Sequence, residues 1–219
     1  MAKTLPEATV LLTGGAGYIG THIAWRLADE GARVVVLDDL SSGKADALPP
    51  GAAFVRGDVR APGLLQGILE KWNVDLVIHL AAKLIVQESV ERPLPYFETN
   101  VGGMIALVGA LREAGPRPVV FSSTAAVYGL PQRVPIDEGH ACQPVNPYGA
   151  SKRAAEELLL AAGPAYGIRS ACLRYFNVGG TWADTHPPRH SVYPTHVLPA
   201  LFDAVEGRRP AFMVHGTDY

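Results

Sequence analysis

The stretch "VLLTGGAGYIGTH", residues 10–22, places three evenly spaced glycines between an apolar run and a helical pattern. Gly14, Gly17 and Gly20 thus follow a strand and open a helix, with Gly15 beside them. Such a turn needs positive φ, a backbone that can approach a pyrophosphate without a Cβ in the way, and a helix lying close to its strand. The first-turn N–H groups then face the phosphates with a partial positive charge. A plain chain reversal also favours glycine, so the motif needs support from elsewhere in the chain.

Asp38 and Asp39 end the second apolar run about twenty residues further on, where a carboxylate can hold the hydroxyls of an adenosine ribose. Paired acids there repel a 2′-phosphate and favour NAD over NADP. Asp58 closes the third run and suits the exocyclic amine of adenine, although an Asp after Gly57 serves a turn equally well.

Apolar runs at 9–13, 33–38, 52–58, 74–82, 117–123 and 168–176 alternate with helical patterns at 19–30, 61–71, 94–114 and 147–162. The runs are nearly continuous, as strands buried on both faces of a parallel sheet should be. This alternation predicts an α/β fold, a doubly wound parallel sheet of Rossmann type with ligands at the carboxyl ends of its strands. After residue 176 the texture turns rich in Gly, Pro and His, which reads as a surface excursion. A helix over about 195–206 closed by Gly207 and a strand-like "AFMVHG" follow. The expected division is a dinucleotide-binding domain over 1–176 and the start of a smaller substrate lobe over 177–219.

The 219 residues are 48% hydrophobic and 18% charged with net charge −2, the profile of an ordinary globular protein without the basic block of a nucleic-acid or membrane-surface binder. No apolar stretch reaches the roughly 18 residues of a membrane span. The opening residues carry no signal-peptide pattern, and two cysteines make no disulfide framework. A reduced, cytoplasmic protein is expected. The histidines lack metal-ligand spacing, so no metal is assigned.

"NPYGASKRAAEELLLAAG", residues 146–163, carries the second constellation. Asn146 suits an N-cap, Pro147 the first helical position and Gly163 the stop. Tyr148 and Lys152 lie four apart on a face that continues through Ala155 and Leu159, so both tips are expected to point inward over the sheet. Half-buried tyrosines and lysines also serve packing alone. A tyrosine base needs its pKa of ~10 lowered by ~3, about 4 kcal/mol. One cation ~4 Å away at an effective dielectric of about 20 supplies ~4 kcal/mol, with desolvation working against both groups. In "VVFSSTAAVYG", residues 119–129, Ser122, Ser123 and Thr124 end the fifth strand, at the mouth where a substrate would lie. Thr124 can hydrogen-bond a reacting carbinol, or simply close the strand end.

Together these residues resemble the extended short-chain dehydrogenase/reductase superfamily, and within it the UDP-glucose 4-epimerase family. "TGGAGYIGTH", "VVLDDLSSG", "GDVR", "IHLAA", "VQES", "TNV", "FSSTAAVYG", "NPYGASK", "LRYFNV" and "GTDY" occur in family order over essentially the whole chain. The resemblance implies NAD contacts at Tyr18 and Ile19, along Asp38, Asp39, Leu40, Ser41, Ser42 and Gly43, and at Asp58 and Val59. It adds Leu80, Ala81, Ala82 and Lys83, then Thr99, Asn100 and Ser122, with Tyr148, Lys152 and Phe176 around the nicotinamide. It places Thr124, Tyr148, Asn177, His196 and Val197 at a nucleotide sugar.

The implied reaction interconverts UDP-glucose and UDP-galactose through a 4-keto sugar. Tyr148, Lys152 and Thr124 are the implied catalytic residues, in a homodimer packed through the helices near 94–114 and 147–162. Where related dehydratases carry an acid–base pair after the Thr, this chain has Ala125 and Ala126, which cannot transfer a proton. Family chains continue past "GTDY" through an arginine that binds the diphosphate. The sequence as given is therefore expected to hold NAD but to turn over slowly or not at all, leaving an NAD-binding module as the alternative.

Overall fold

A computed structural model describes residues 4–180 and 197–214. Six strands, β1 (Thr9–Thr13), β2 (Arg33–Asp38), β3 (Ala53–Arg56), β4 (Leu76–His79), β5 (Val119–Thr124) and β6 (Ser170–Tyr175), form one sheet. All pairs are parallel, in the order β3-β2-β1-β4-β5-β6. The helices are α1 (Tyr18–Asp29), α2 (Leu64–Lys71), α3 (Val86–Glu91), α4 (Pro93–Ala114), α5 (Pro147–Tyr166) and α6 (Val197–Val205). The doubly wound parallel sheet is the architecture that the β-α alternation predicts.

Alternating residues of the central strands feed two cores. Leu11, Val35, Leu37, Val77 and Phe121 pack with α2, α4 and α5 through Leu65, Leu69, Leu107, Leu111 and Leu159. Val10, Leu12, Val34 and Val36 face the other way, against Ala24 and Leu27 of α1. Each fully buried side chain of this size contributes about 1.5–3 kcal/mol, which is why β1 and β2 read as unbroken apolar runs. Two-sided burial does not extend to β6. It is an edge strand, and Ser170, Ala171 and Leu173 are exposed.

The structure moves several expected boundaries. β4 ends at His79 rather than 82, and only the Leu80 N–H still reaches across, to the Thr13 carbonyl. Helix α5 runs through Gly163 and Pro164 and stops at Tyr166, because Gly167 adopts the left-handed conformation that ends a helix. Residues 211–214 form no strand, and the rest of the strand-like segment lies outside the described residues. Among the described residues, no helix is long and apolar enough to cross a membrane.

The order reverses at β1, which pairs with both β2 and β4, so a crevice opens beyond the carboxyl ends of β1 and β4. Gly14 turns the chain there with φ of 70°. A Cβ at this position would stand 2.6 Å from the Ala81 backbone nitrogen, in the segment leaving β4. Gly14→Ala is therefore expected to lower stability by about 1–3 kcal/mol in urea unfolding. An unchanged midpoint would show that the loop relaxes without strain.

Candidate active site

The glycine loop is tied to the end of β2 by its own backbone. Gly14 N–H donates to the Leu37 carbonyl at 2.8 Å, and Lys44 N–H to the Ala16 carbonyl at 3.0 Å. The Asp38 carboxylate joins the two segments, accepting from Ala16 N–H at 2.9 Å and from Leu40 N–H at 2.8 Å. Asp38 is buried, and burial raises its pKa, against the pull of those two donors. The expected acid pair therefore divides. Asp38 builds the loop, while the exposed Asp39 accepts only locally, from Ser41 N–H at 2.8 Å.

Asp58 shows the turn role among its two expected readings. Arg60 engages both its oxygens, at 2.6 Å for the closest, and Arg60 N–H donates to it at 2.8 Å. Hydrogen bonds from Arg60 hold its carboxyl below the usual range. Its carboxylate thus serves the turn. Around the loop, Gly17 caps α1 with no side-chain hydrogen bond, and Gly20 sits in the first turn. Tyr18 and Ile19 are half-buried, and the Tyr18 hydroxyl donates to the Gly180 carbonyl. Ser41 and Ser42 are exposed, Gly43 packs on Ala16, and Val59 is buried.

Across the crevice stands the amino-terminal half of α5. Asn146 caps it, its side chain accepting from Gly149 N–H at 2.8 Å, and Pro147 takes the first position. A Cβ on Gly149 would sit 2.6 Å from the Ala126 carbonyl, so the missing side chain lets α5 press against the turn that follows β5. Tyr148 and Lys152 do point inward over the sheet. Lys152 is 3% exposed, donates from Nζ to the Ser122 carbonyl at 2.7 Å, and lies 4.8 Å over the Phe121 ring. Burial pushes its pKa down to about 7, with the Glu156 charge opposing.

Burial likewise raises the Tyr148 phenol, and a hydrogen bond with Thr124 works the other way. Thr124 also accepts from Ala126 N–H at 3.2 Å, so it does close the strand end. Ser122 turns its carbonyl to Lys152, while Ser123 is not at the mouth. Its hydroxyl points under α5 and donates to Glu156 at 2.5 Å.

A polar brace joins the two halves. Asn100 in α4 accepts from Lys83 N–H at 2.8 Å and donates to the Lys83 carbonyl at 3.1 Å and to Ser151 Oγ at 2.9 Å. Thr99 beside it is half-buried, as are Leu80, Ala81, Ala82 and Lys83. Lys83 Nζ lies 3.6 Å from Glu88. Tyr148 N–H donates to Ser89 Oγ at 3.2 Å, and the Tyr148 and Tyr96 rings meet edge to face. Phe176 and Asn177 are exposed just past β6, Val197 is exposed at the start of α6, and His196 lies outside the described residues.

Sequence reading passed over Ala16, Ser89, Gly149 and Glu156. Only Glu156 left a signal, standing four residues after Lys152 on the same helix face. The arrangement can hold a diphosphate at the glycine loop and move a proton at Tyr148 and Thr124.

Residues 10–218 match the NAD dependent epimerase/dehydratase family, and the chain belongs to it. It is 44% identical over 217 residues to a UDP-glucose 4-epimerase of Azospirillum brasilense, covering 99% of this chain and 62% of that one. It is 42% identical to the UDP-glucose 4-epimerase of Lacticaseibacillus casei, covering 96% and 64%. Among solved structures it matches UDP-glucose 4-epimerase from Brucella ovis in complex with NAD, with TM-score 0.92 and 43% identity over 97% of this chain and 65% of that one. The enzyme from Stenotrophomonas maltophila, with bound NAD and formylated UDP-arabinopyranose, gives TM-score 0.89 and 36% identity over 97% and 66%. The chain thus spans less than two thirds of the length of these relatives.

The depressed pKa of Lys152 makes stability depend on pH. Between the folded value of about 7 and the usual lysine value, the unfolded chain binds more protons, so stability rises with pH across that window. Going from pH 7 to pH 9, the parent should gain about 2 kcal/mol on Lys152→Met. Urea unfolding of both proteins at the two pH values measures it, and parallel pH dependences would contradict the burial of this ammonium.

Proposed function

We propose that this chain binds NAD and, as part of an NAD-dependent 4-epimerase, interconverts UDP-glucose and UDP-galactose. The observation that carries the reading is the buried Lys152, held on the Ser122 carbonyl one helical turn from Tyr148, at the carboxyl edge of a sheet whose first loop suits a diphosphate. The residues fit the dinucleotide. A Cβ at Gly14 would meet the chain leaving β4, and α1 begins with no side chain capping it, which leaves its amino terminus suited to phosphate oxygens. Tyr18 and Ile19 would border that phosphate site, with Leu80 to Lys83 opposite. Asp39 is the carboxylate placed for ribose hydroxyls, and the segment Asp38 to Gly43, with Asp58 and Val59, would enclose the adenosine.

NAD held there would supply a reversible hydride acceptor for C4 of the sugar, so that no outside reductant would be consumed. Tyr148 accepts the proton of the C4 hydroxyl as the 4-keto sugar forms, and gives it back when the alcohol is restored. Thr124 holds the same oxygen by a hydrogen bond. Burial favours the protonated phenol. The Thr124 hydroxyl offsets this, and so does the Lys152 ammonium one turn away, whose field strengthens as a substrate excludes water. Phe176, Asn177, His196 and Val197 would contact the nicotinamide or the nucleotide sugar, at the start of a substrate lobe from residue 177. Ala125 and Ala126 supply no proton, so elimination of water is not supported.

Exposed Leu94, Phe97 and Ile105 on α4 and Leu160 on α5 support a homodimer through these helices. Both cysteines are free, in keeping with a reducing, cytoplasmic setting. The alternative reading is a dinucleotide-binding unit without turnover.

The test supplies purified protein with UDP-galactose and no cofactor, and couples UDP-glucose formation to a dehydrogenase. Turnover that falls about a hundredfold or more in Tyr148→Phe supports the epimerase. Dinucleotide released on denaturation without turnover selects the binding unit. A protein that carries no dinucleotide and has no activity overturns both.

A further inference from the structure

Glu156 has no solvent exposure, and none of the roles above uses it. It stands one helical turn after Lys152. Its Oε1 accepts from Ser123 Oγ at 2.5 Å and from Arg174 Nε at 3.0 Å, and its Oε2 from Arg174 Nη2 at 2.8 Å and Arg153 Nη1 at 3.2 Å. Arg174, on β6, also donates to the Tyr128 hydroxyl at 3.0 Å. Two consecutive residues of β5 are therefore each held by one residue of α5. Lys152 takes the Ser122 carbonyl and Glu156 the Ser123 hydroxyl.

We propose that Glu156 is a positioning residue for the Tyr148–Lys152 pair, locking α5 in register on the end of β5 and keeping the Lys152 ammonium charged. This rests on the reading of Tyr148 and Lys152 as the groups that handle the proton. Stability alone gives little reason for the anion, since well-packed apolar residues often replace a buried ion pair without loss. Lys152 does need it, because its hydrogen-bond acceptor is a neutral carbonyl.

The groups that face this region make Glu156 the source of the compensating charge. β4 contributes His79, kept neutral because burial, with the Lys152 charge adding, pushes it down to about 3. β6 contributes Arg174 and the Cys172 thiol, which burial pushes up to about 11. Tyr128 comes from the turn after β5, and α5 itself adds Tyr148 and Arg153. α3 and α4 bring Glu88, Tyr96 and Asn100. Of these, Glu156 is the fully buried carboxylate, and hydrogen bonds from Arg174 and Ser123 hold it ionised against the effect of burial.

The experiment follows the Lys152 side chain by NMR in lysine-labelled protein through a pH titration, with the signal assigned by its loss in Lys152→Met. Glu156→Gln keeps the shape and removes the charge, and should lower the Lys152 midpoint by about one pH unit or more. Glu156→Asp should bring the midpoint back toward the parent. Glu157→Gln, at the exposed neighbour that also pairs with Arg153, should leave it in place. An unmoved midpoint in folded Glu156→Gln overturns the proposal. If that variant does not fold, the paired change Glu156→Met with Arg174→Leu replaces it. It should show a smaller downward shift, and no shift there overturns the proposal equally. The titration reads a proton and not turnover, so it can fail while the epimerase reading stands, and the coupled assay can fail while it stands.

Discussion

An ammonium group held out of water governs how the reactive half of this molecule is arranged. Removing such a charge from solvent costs several kcal/mol unless hydrogen bonds and an opposite charge offset it. Lys152 finds the Ser122 carbonyl, the face of Phe121 and the carboxylate of Glu156. To bring Lys152 to the first two, α5 must lie close on β5. Gly149 permits that approach, and Asn146 fixes where the helix begins. Tyr148 is then carried to Thr124 as a consequence of the same docking. The phenol's position is thus inherited from the burial of its neighbour.

The other half of the crevice depends on a second buried charge, which does a different job. Asp38 spends its oxygens on Ala16 and Leu40, converting the glycine loop and the end of β2 into one rigid clasp. Such pre-organisation suits a site that must accept a dinucleotide without rearranging. The two halves meet because β1 has β2 on one side and β4 on the other, and Asn100 then ties the chain leaving β4 to α5. Sheet order, a backbone clasp and a helix docked by its lysine together place Tyr148 opposite the glycine loop.

Much of this was legible in the sequence. Two-sided burial leaves unbroken apolar runs, so β1 and β2 stand out, and Asn146-Pro147 announces the start of α5. The stop at Gly163 misled because a glycine can sit inside a helix when the next one, Gly167, is free to take the left-handed turn. β6 deceived for another reason, since an apolar run does not reveal which strand ends a sheet. Ser123 shows the limit most plainly. Its residue type fits the expected role, but Glu156 binds it first, and such competition appears only in three dimensions. Ala16 acts through its backbone and Ser89 through a hydroxyl on the Tyr148 N–H, and neither carries a pattern.

The most direct test is a crystal structure of the protein with NAD and UDP. The account predicts the diphosphate against Gly14–Ile19 and the nicotinamide ring between the glycine loop and α5, with the Tyr148 hydroxyl facing its reactive carbon. A ring bound elsewhere, or a Tyr148 hydroxyl turned away from it, would contradict the account.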